Sequence, residues 1–269
     1  MGHDKIANVT DILACLECQT RLPAAAEKFV RKDELSVCQP LRGPLHITHA
    51  FNVMNFHHRD VSLANFALIR NFPPIYKHLQ VPTVEVIGDT RHVAPLALQA
   101  LFDARGFNNH HNKETKTCAK SFVGKNSVAL ISDAIAGFDT KIGTKLQYAG
   151  SRQAFVRSKD GKTKCVVDER GVLCGSCESL GDSFLRLVND FEMSVQEASR
   201  LCSLNPARIA RLSHLIGSLD VGKRGDLVFL DDNDDDSTTP STTTTTTTTC
   251  KKKFKIVGCV VGGKLNASW

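Results

Sequence analysis

Thr83-Val-Glu-Val-Ile-Gly-Asp-Thr-Arg-His-Val-Ala-Pro95 decides the fold class. Thr83–Ile87 reads as a strand that leads to Asp89 and His92. Pro95 then suits a first helical position, Leu98, Leu101 and Phe102 share one helical face, and Gly106 stops that helix. The theme recurs on both sides. Leu45-His-Ile-Thr48 reads as a buried strand followed by His49, and Val128-Ala-Leu-Ile131 as another that ends in Ser132-Asp133. Leu180, Phe184, Leu187 and Phe191 fall on one helix face, and Ser194-Val-Gln-Glu197 is a capping-box pattern opening a helix through Leu201. Strands alternating with helices predict an α/β fold with parallel strands, whose functional groups collect at the C-terminal strand ends. His49, His92 and Asp133 lie at or just beyond such ends, and imidazole with carboxylate there suits a divalent metal and a general base.

The composition agrees with a globular chain. Its 269 residues match a (β/α)8 barrel of ~250 residues, and 42% hydrophobic residues can fill a sizeable core. No run approaches the ~18–20 apolar residues of a membrane span, and the start of the chain has no apolar signal core. The ten cysteines are therefore read as reduced thiols of a cytoplasmic protein. The net charge of +6 favours anionic ligands, but Lys251-Lys-Lys253 flanks a linker without interleaved aromatics, so no nucleic-acid partner is expected. Cys15-Leu-Glu-Cys18 and Cys174-Gly-Ser-Cys177 lie too far apart for a compact zinc site. Residues 232–253, rich in Asp and Thr, read as a disordered insert.

Several motifs go further. Thr48-His-Ala-Phe-Asn-Val-Met54 with His57-His-Arg-Asp60, Ile87-Gly-Asp-Thr-Arg-His-Val-Ala-Pro95, Leu130-Ile-Ser-Asp-Ala134 and Gly171-Val-Leu-Cys-Gly-Ser176 resemble, in order, the signatures of N-acetylglucosamine-6-phosphate deacetylases. Ser203-Leu-Asn-Pro-Ala-Arg208 resembles a further motif of that family. Gly217–Asp231 and the closing Val260-Val-Gly-Gly263 resemble the wider amidohydrolase superfamily. The resemblance covers the chain from about residue 45 to its end.

It implies an enzyme of amino sugar metabolism that removes acetate from N-acetylglucosamine 6-phosphate with a divalent metal, zinc first. The family's homodimer comes with it. The implied fold is a partial (β/α)8 TIM-like amidohydrolase barrel, its later strands only, with C-terminal strands of a small β-sandwich. Residues 1–44 would be a divergent N-terminal segment, 45–216 the C-terminal portion of the barrel, and 217–231 with 254–266 the sandwich strands. Carried over by position, His49 is a metal ligand and Asp133 the general base and then acid. Asn52, Val53, Asp89, His92, Leu173, Cys174 and Gly175 contact the substrate, and Arg59 holds its phosphate. Val53 stands for the family's Ala and Thr90 for its Gly. The family's segments bearing a metal-binding Glu and a further metal-binding His have no counterpart, so little or no deacetylase activity is expected of this chain as written. The alternatives are a non-catalytic remnant that binds a sugar phosphate or protein partner, and another amidohydrolase such as a cyclic amidase or deaminase.

Overall fold

The computed structural model describes residues 8–26, 45–107, 122–148, 152–158, 163–233 and 253–267. Among them, three strands pair in parallel in the order β1 (His46–Ile47), β2 (Thr83–Ile87), β3 (Val128–Ile131). The chain is thus α/β, as the alternation predicted. Side chains alternate across this sheet with a period of two. Ile47, Val84, Val86, Val128 and Leu130 turn to one face and enter the main core. There they meet Leu63 and Phe66 of α2 (Leu63–Ala67), Leu98, Leu101 and Phe102 of α3 (Pro95–Ala104), and Leu187 of α5 (Leu180–Asn189), which follows α4 (Phe122–Asn126). Phe102 makes edge contacts with Phe107 and Phe191 at ring-centroid distances of 6.0 and 6.2 Å. The opposite face carries His46, Thr83 and Glu85, all half-buried. A polar row on a parallel sheet departs from the usual two-sided apolar burial of such strands.

A fourth strand continues the order. β7 (Leu173–Ser176) ends beside residues 133–135: Ser176 N donates to Asp133 O at 3.2 Å, and Ile135 N donates to Ser176 O at 3.1 Å, in a parallel bridge. Between β3 and β7 the chain makes an antiparallel excursion, β4 (Lys145–Tyr148), β5 (Arg152–Ser158) and β6 (Lys164–Asp168), which pairs on to β7 in sequence order. The sequence reading missed this sheet. It packs its own small core of Ala154, Val156, Val166 and Cys177.

The helix expectations are met at α3, which starts at Pro95, and at α6 (Val195–Ser199), where Ser194 caps by accepting from the Glu197 N–H. A π-turn (Arg200–Leu204) carries α6 into α7 (Asn205–Ile209), so the chain passes Pro206 without a break. The N-terminal segment differs from expectation. The Ala-rich tract Pro23–Val30 reads in the sequence as a short helical run, whereas α1 spans Val9–Ala26 and buries Ile12 and Leu16, four residues apart, in the main core; residues 27–44 lie outside the described residues. The strand expected over 217–231 forms only from Leu227, as β8 (Leu227–Asn233), after turns over 217–226. It pairs antiparallel with β9 (Lys253–Val261), which pairs with β10 (Lys264–Ala267). Of the Asp/Thr-rich insert, residues 232, 233 and 253 belong to these strands, and 234–252 lie outside the described residues.

The starts of β2 and β3 are fastened by one side chain. Arg105, at the end of α3, is fully buried, and its guanidinium donates to Ala67 O (2.8 Å), Phe66 O (3.3 Å), Pro82 O (3.1 Å) and Ser127 Oγ (2.9 Å). Burial pushes its pKa down to about 10, so it stays charged at neutral pH. Asn205 fixes the same corner by donating to Lys125 O at 2.7 Å and Val128 O at 2.6 Å. Arg105→Met keeps much of the apolar volume but strands these oxygens in the core. It is expected to lower stability by about 2–4 kcal/mol, read as a lower urea midpoint at unchanged slope.

Backbone strain gathers at the other end of the parallel strands. Of the described non-glycine residues with positive φ, five follow β1, β2 or β3: His49 (32°), Phe51 (73°), Val53 (53°), Thr90 (58°) and Asp133 (47°). Val53 and Thr90 are the outliers by chemistry, since β-branched residues rarely adopt this region; only for Thr90 does a side-chain bond follow. Its Oγ1 offsets part of the cost by donating to Asp89 O at 2.7 Å. Thr90→Gly is expected to raise stability by about 0.5–1 kcal/mol in a denaturant titration. A fall would show that the hydroxyl bond outweighs the strain.

Candidate active site

The β1-β2-β3 sheet, with β7 of the antiparallel sheet bridged at Ser176 to Ala134 just past β3, brings the sequence-predicted residues to neighbouring strand ends. Ala50 N, just after His49, donates to Glu85 O at 2.7 Å; Gly88 N donates to Ile131 O at 3.4 Å; Ser176 N reaches Asp133 O. His49, the Asp89–His92 loop, Asp133 and Leu173-Cys-Gly175 therefore follow one another along one rim. His49 and Asp133 are half-buried, as are Leu173 and Cys174. Gly175 is buried against Ile135, and a Cβ there would come within 2.8 Å of that side chain, so the glycine permits the contact between β7 and the turn after β3.

Asp89 and His92 form the tightest polar pair of the rim. The Asp89 side chain is 1% and the His92 side chain 3% exposed, and His92 Nδ1 lies 2.6 Å from Asp89 Oδ2. A carboxylate only accepts, so Nδ1 carries the proton and Nε2 is the ring's remaining polar atom. Asp89 Oδ1 also accepts the Arg91 and His92 N–H groups, both at 2.9 Å. Burial works against the Asp89 charge, but the bonds from the His92 ring and backbone outweigh it and hold its pKa below the usual value.

Other predicted residues follow β1, Asn52 N donating to His49 O at 3.0 Å. Asn52 is half-buried and Val53 is 45% exposed. Arg59 is exposed, its Nε donating to His58 Nε2 at 3.0 Å and its N–H to His57 Nδ1 at 3.2 Å. Cys177 is buried, and burial together with Cys165 pushes its thiol up to about 11, so it packs as a neutral apolar group.

Two carboxylates were missed by the sequence reading. Glu85, on the polar face of β2, accepts Thr48 Oγ1 at 2.7 Å and pairs with His46 Nε2 at 3.1 Å, while His46 Nδ1 meets Thr83 Oγ1 at 2.9 Å. The His46 bond lowers its pKa most, against a smaller opposing effect of burial, with Thr48 and the nearby His49 assisting. Its signal was a lone acid inside an apolar strand. Glu178, just past β7, is buried and faces Arg186. Burial raises its pKa, Arg186 counters, and the field of Asp89 adds to the rise.

The metal expected from the resemblance finds an incomplete setting. Among the described residues no three His, Cys, Asp or Glu side chains converge in a group able to hold a metal ion. A catalytic zinc takes three protein ligands as a rule, and His49 alone does not satisfy that. No helix among the described residues is long and apolar enough to cross a membrane.

Known proteins match this chain in the same terms. A cattle (Bos taurus) N-acetylglucosamine-6-phosphate deacetylase is 28% identical over 191 residues, 71% of this chain and 40% of its own length; the Rattus norvegicus enzyme is 26% identical over the same extent. The chain thus spans well under half of the curated relatives it matches. Solved deacetylases share the fold: that of Pasteurella multocida with a TM-score of 0.57 at 18% identity, covering 84% of this chain and 46% of that one, and that of Thermotoga maritima with 0.57 at 19%, covering 84% and 48%. A Mycobacterium smegmatis deacetylase solved with N-acetyl-D-glucosamine-6-phosphate aligns with a TM-score of 0.55 at 20% identity, over 83% of this chain and 46% of that one. The Amidohydrolase family profile matches residues 128–265, from β3 through the Asp133 turn and β7 into β10, and the chain belongs to that family.

Proposed function

We propose that this chain carries the substrate-facing part of a site that hydrolyses the acetamide of N-acetylglucosamine 6-phosphate, giving glucosamine 6-phosphate and acetate. The observation that supports it is the strand order that aligns His49, the Asp89–His92 pair and Asp133 on one rim. In this reading the parallel strands are the later strands of a (β/α)8 barrel over residues 45–216. The strands β8, β9 and β10 belong to a small sandwich, and 1–44 and 234–252 are a divergent segment and an insert. Asp133 takes the proton of the attacking water and returns it to the departing nitrogen, which is a poor leaving group until protonated. His92, its ring fixed by Asp89, contacts the sugar with Asn52, Val53 and Leu173-Cys-Gly175, and Arg59 takes the phosphate as a bidentate fork. A zinc site would need ligands beyond His49, so no step is assigned to a metal here. The proposal extends to a cytoplasmic homodimer without nucleic-acid or membrane partners.

One feature favours binding over turnover by this stretch of chain: the rim supplies an acid–base residue and a single imidazole ligand. The chain is therefore expected to bind the phosphorylated sugar in preference to the unphosphorylated one, and to release acetate at close to the background rate. Rapid zinc-dependent release that Asp133→Asn abolishes would overturn the incomplete-site reading. Arg59→Ala should weaken binding of the phosphorylated sugar by ~10-fold by calorimetry and leave the unphosphorylated sugar unchanged. Equal affinity of the unaltered chain for both sugars would remove the phosphate role.

A further inference from the structure

The Asp89–His92 pair follows the end of β2, and the Gly88 that precedes it packs against α5. α5 crosses there at van der Waals distance: a Cβ on Gly88 would lie 2.9 Å from Ser183 Cβ. From one turn further along α5, Arg186 Nη1 donates to Gly88 O at 2.9 Å. The other branch of the guanidinium donates from Nη2 to Glu178 Oε1 at 3.0 Å, and Glu178 Oε2 lies 2.8 Å from Nη1. Both charged side chains are largely buried, at 16% and 9% exposure. Glu178 stands just past β7, so the pair links the end of β7, through α5, to the end of β2, spanning β3 between them.

We infer that Glu178 and Arg186 form a positioning clamp. Glu178 orients the guanidinium, and the guanidinium holds the Gly88 carbonyl and so sets where the Asp89–His92 pair stands. Arg186 hydrogen-bonds this carbonyl, and its planar fork serves two acceptors in fixed directions, which a lysine ammonium on a flexible stem does not. The residual burial of the Glu178 carboxylate beside Asp89, which raises its pKa, is the cost of holding the fork there. The clamp gives His92 a fixed place independent of α3, to which it is joined in sequence. Its meaning for catalysis rests on the reading of His92 as a substrate contact, but its test does not.

The test is nuclear magnetic resonance on the isotopically labelled full chain. The Nδ1 proton of His92, in its short bond to Asp89, gives a far-downfield signal. Arg186→Gln should shift or abolish that signal and speed exchange of the Arg91 and His92 amides by ~10-fold, while amides of β3 keep their protection. Arg186→Lys should recover the amide protection in part, and Glu178→Gln should give a smaller change than Arg186→Gln. An unchanged ring proton and unchanged amide exchange in Arg186→Gln overturns the clamp. If that variant fails to fold, native-state exchange in the unaltered chain decides. Opening of the Arg91 and His92 amides together with α5 supports the clamp, and their opening with α3 while α5 stays protected overturns it. Loss of sugar binding with these signatures intact would overturn the proposed function and leave the clamp standing.

Discussion

Strand β2 is held at both ends by arginine side chains that reach in from helices. Arg105 takes Pro82 O just before the strand and Arg186 takes Gly88 O just after it. A central strand of a parallel sheet has its ladder satisfied by its neighbours, but the carbonyls at its two ends run out of strand partners, and buried carbonyls without donors are costly. Guanidinium groups solve that with several donors on one rigid plane. Arg105 also gathers Phe66 O, Ala67 O and Ser127 Oγ, so the end of α2 and the start of β3 are fixed to the same group. The register of the sheet, and hence which residues reach the rim together, depends on that corner.

The sheet divides its two faces between different tasks. The face of Ile47, Val84, Val86, Val128 and Leu130 supplies the core. The face of His46, Thr83 and Glu85 spends its hydrogen-bonding capacity on itself, with each polar group meeting another on a neighbouring strand. Such a network is stable only when its members are satisfied, and the same face also buries Ile87 and Ala129 toward the strand ends. Positive-φ residues then appear where these strands end, at His49, Val53, Thr90 and Asp133. Strained backbone at the end of a well-held strand is where functional side chains are commonly presented, and here the strain coincides with residues singled out by their motifs.

Much of this was legible in the sequence because it was local. β2, β3, α3 and the Ser194 cap declare themselves through apolar periodicity, Pro95 and the Ser–Glu spacing. Ser203–Arg208 was legible as a motif but not as an anchor: Asn205 reaches back 77 residues to Val128 O, and sequence alone gives no hint of that pairing. The excursion of β4 to β6 was missed because its buried apolar residues are few, with Ala154 and Val156 the only alternating pair in β5 and charged residues opening β4, β5 and β6. α1 was legible only at its C-terminal end because the Ala-rich Pro23–Val30 tract carries the visible helical signal, whereas Ile12 and Leu16 are what the core buries.

The site was legible in its parts and less so in its arrangement. Motifs named His49, Asp89, His92 and Asp133, but only the strand order makes them neighbours on one rim, and only the Asp89 contacts fix the His92 ring. Glu178 and Arg186 escaped notice because each looks ordinary alone: an acid after a small-residue strand end and a basic residue on an amphipathic helix, eight residues apart. Their burial turns them into a unit, since neither charge is tolerable there without the other. The arrangement that results is asymmetric. The Asp89–His92 part of the rim is braced from two directions, by α5 and by the strand ladder, while His49 stands at the end of β1, the edge strand of the three-stranded sheet. Such a rim holds the His92 ring in one orientation more firmly than it holds His49, because among the described residues only the former is tied to a buried carboxylate.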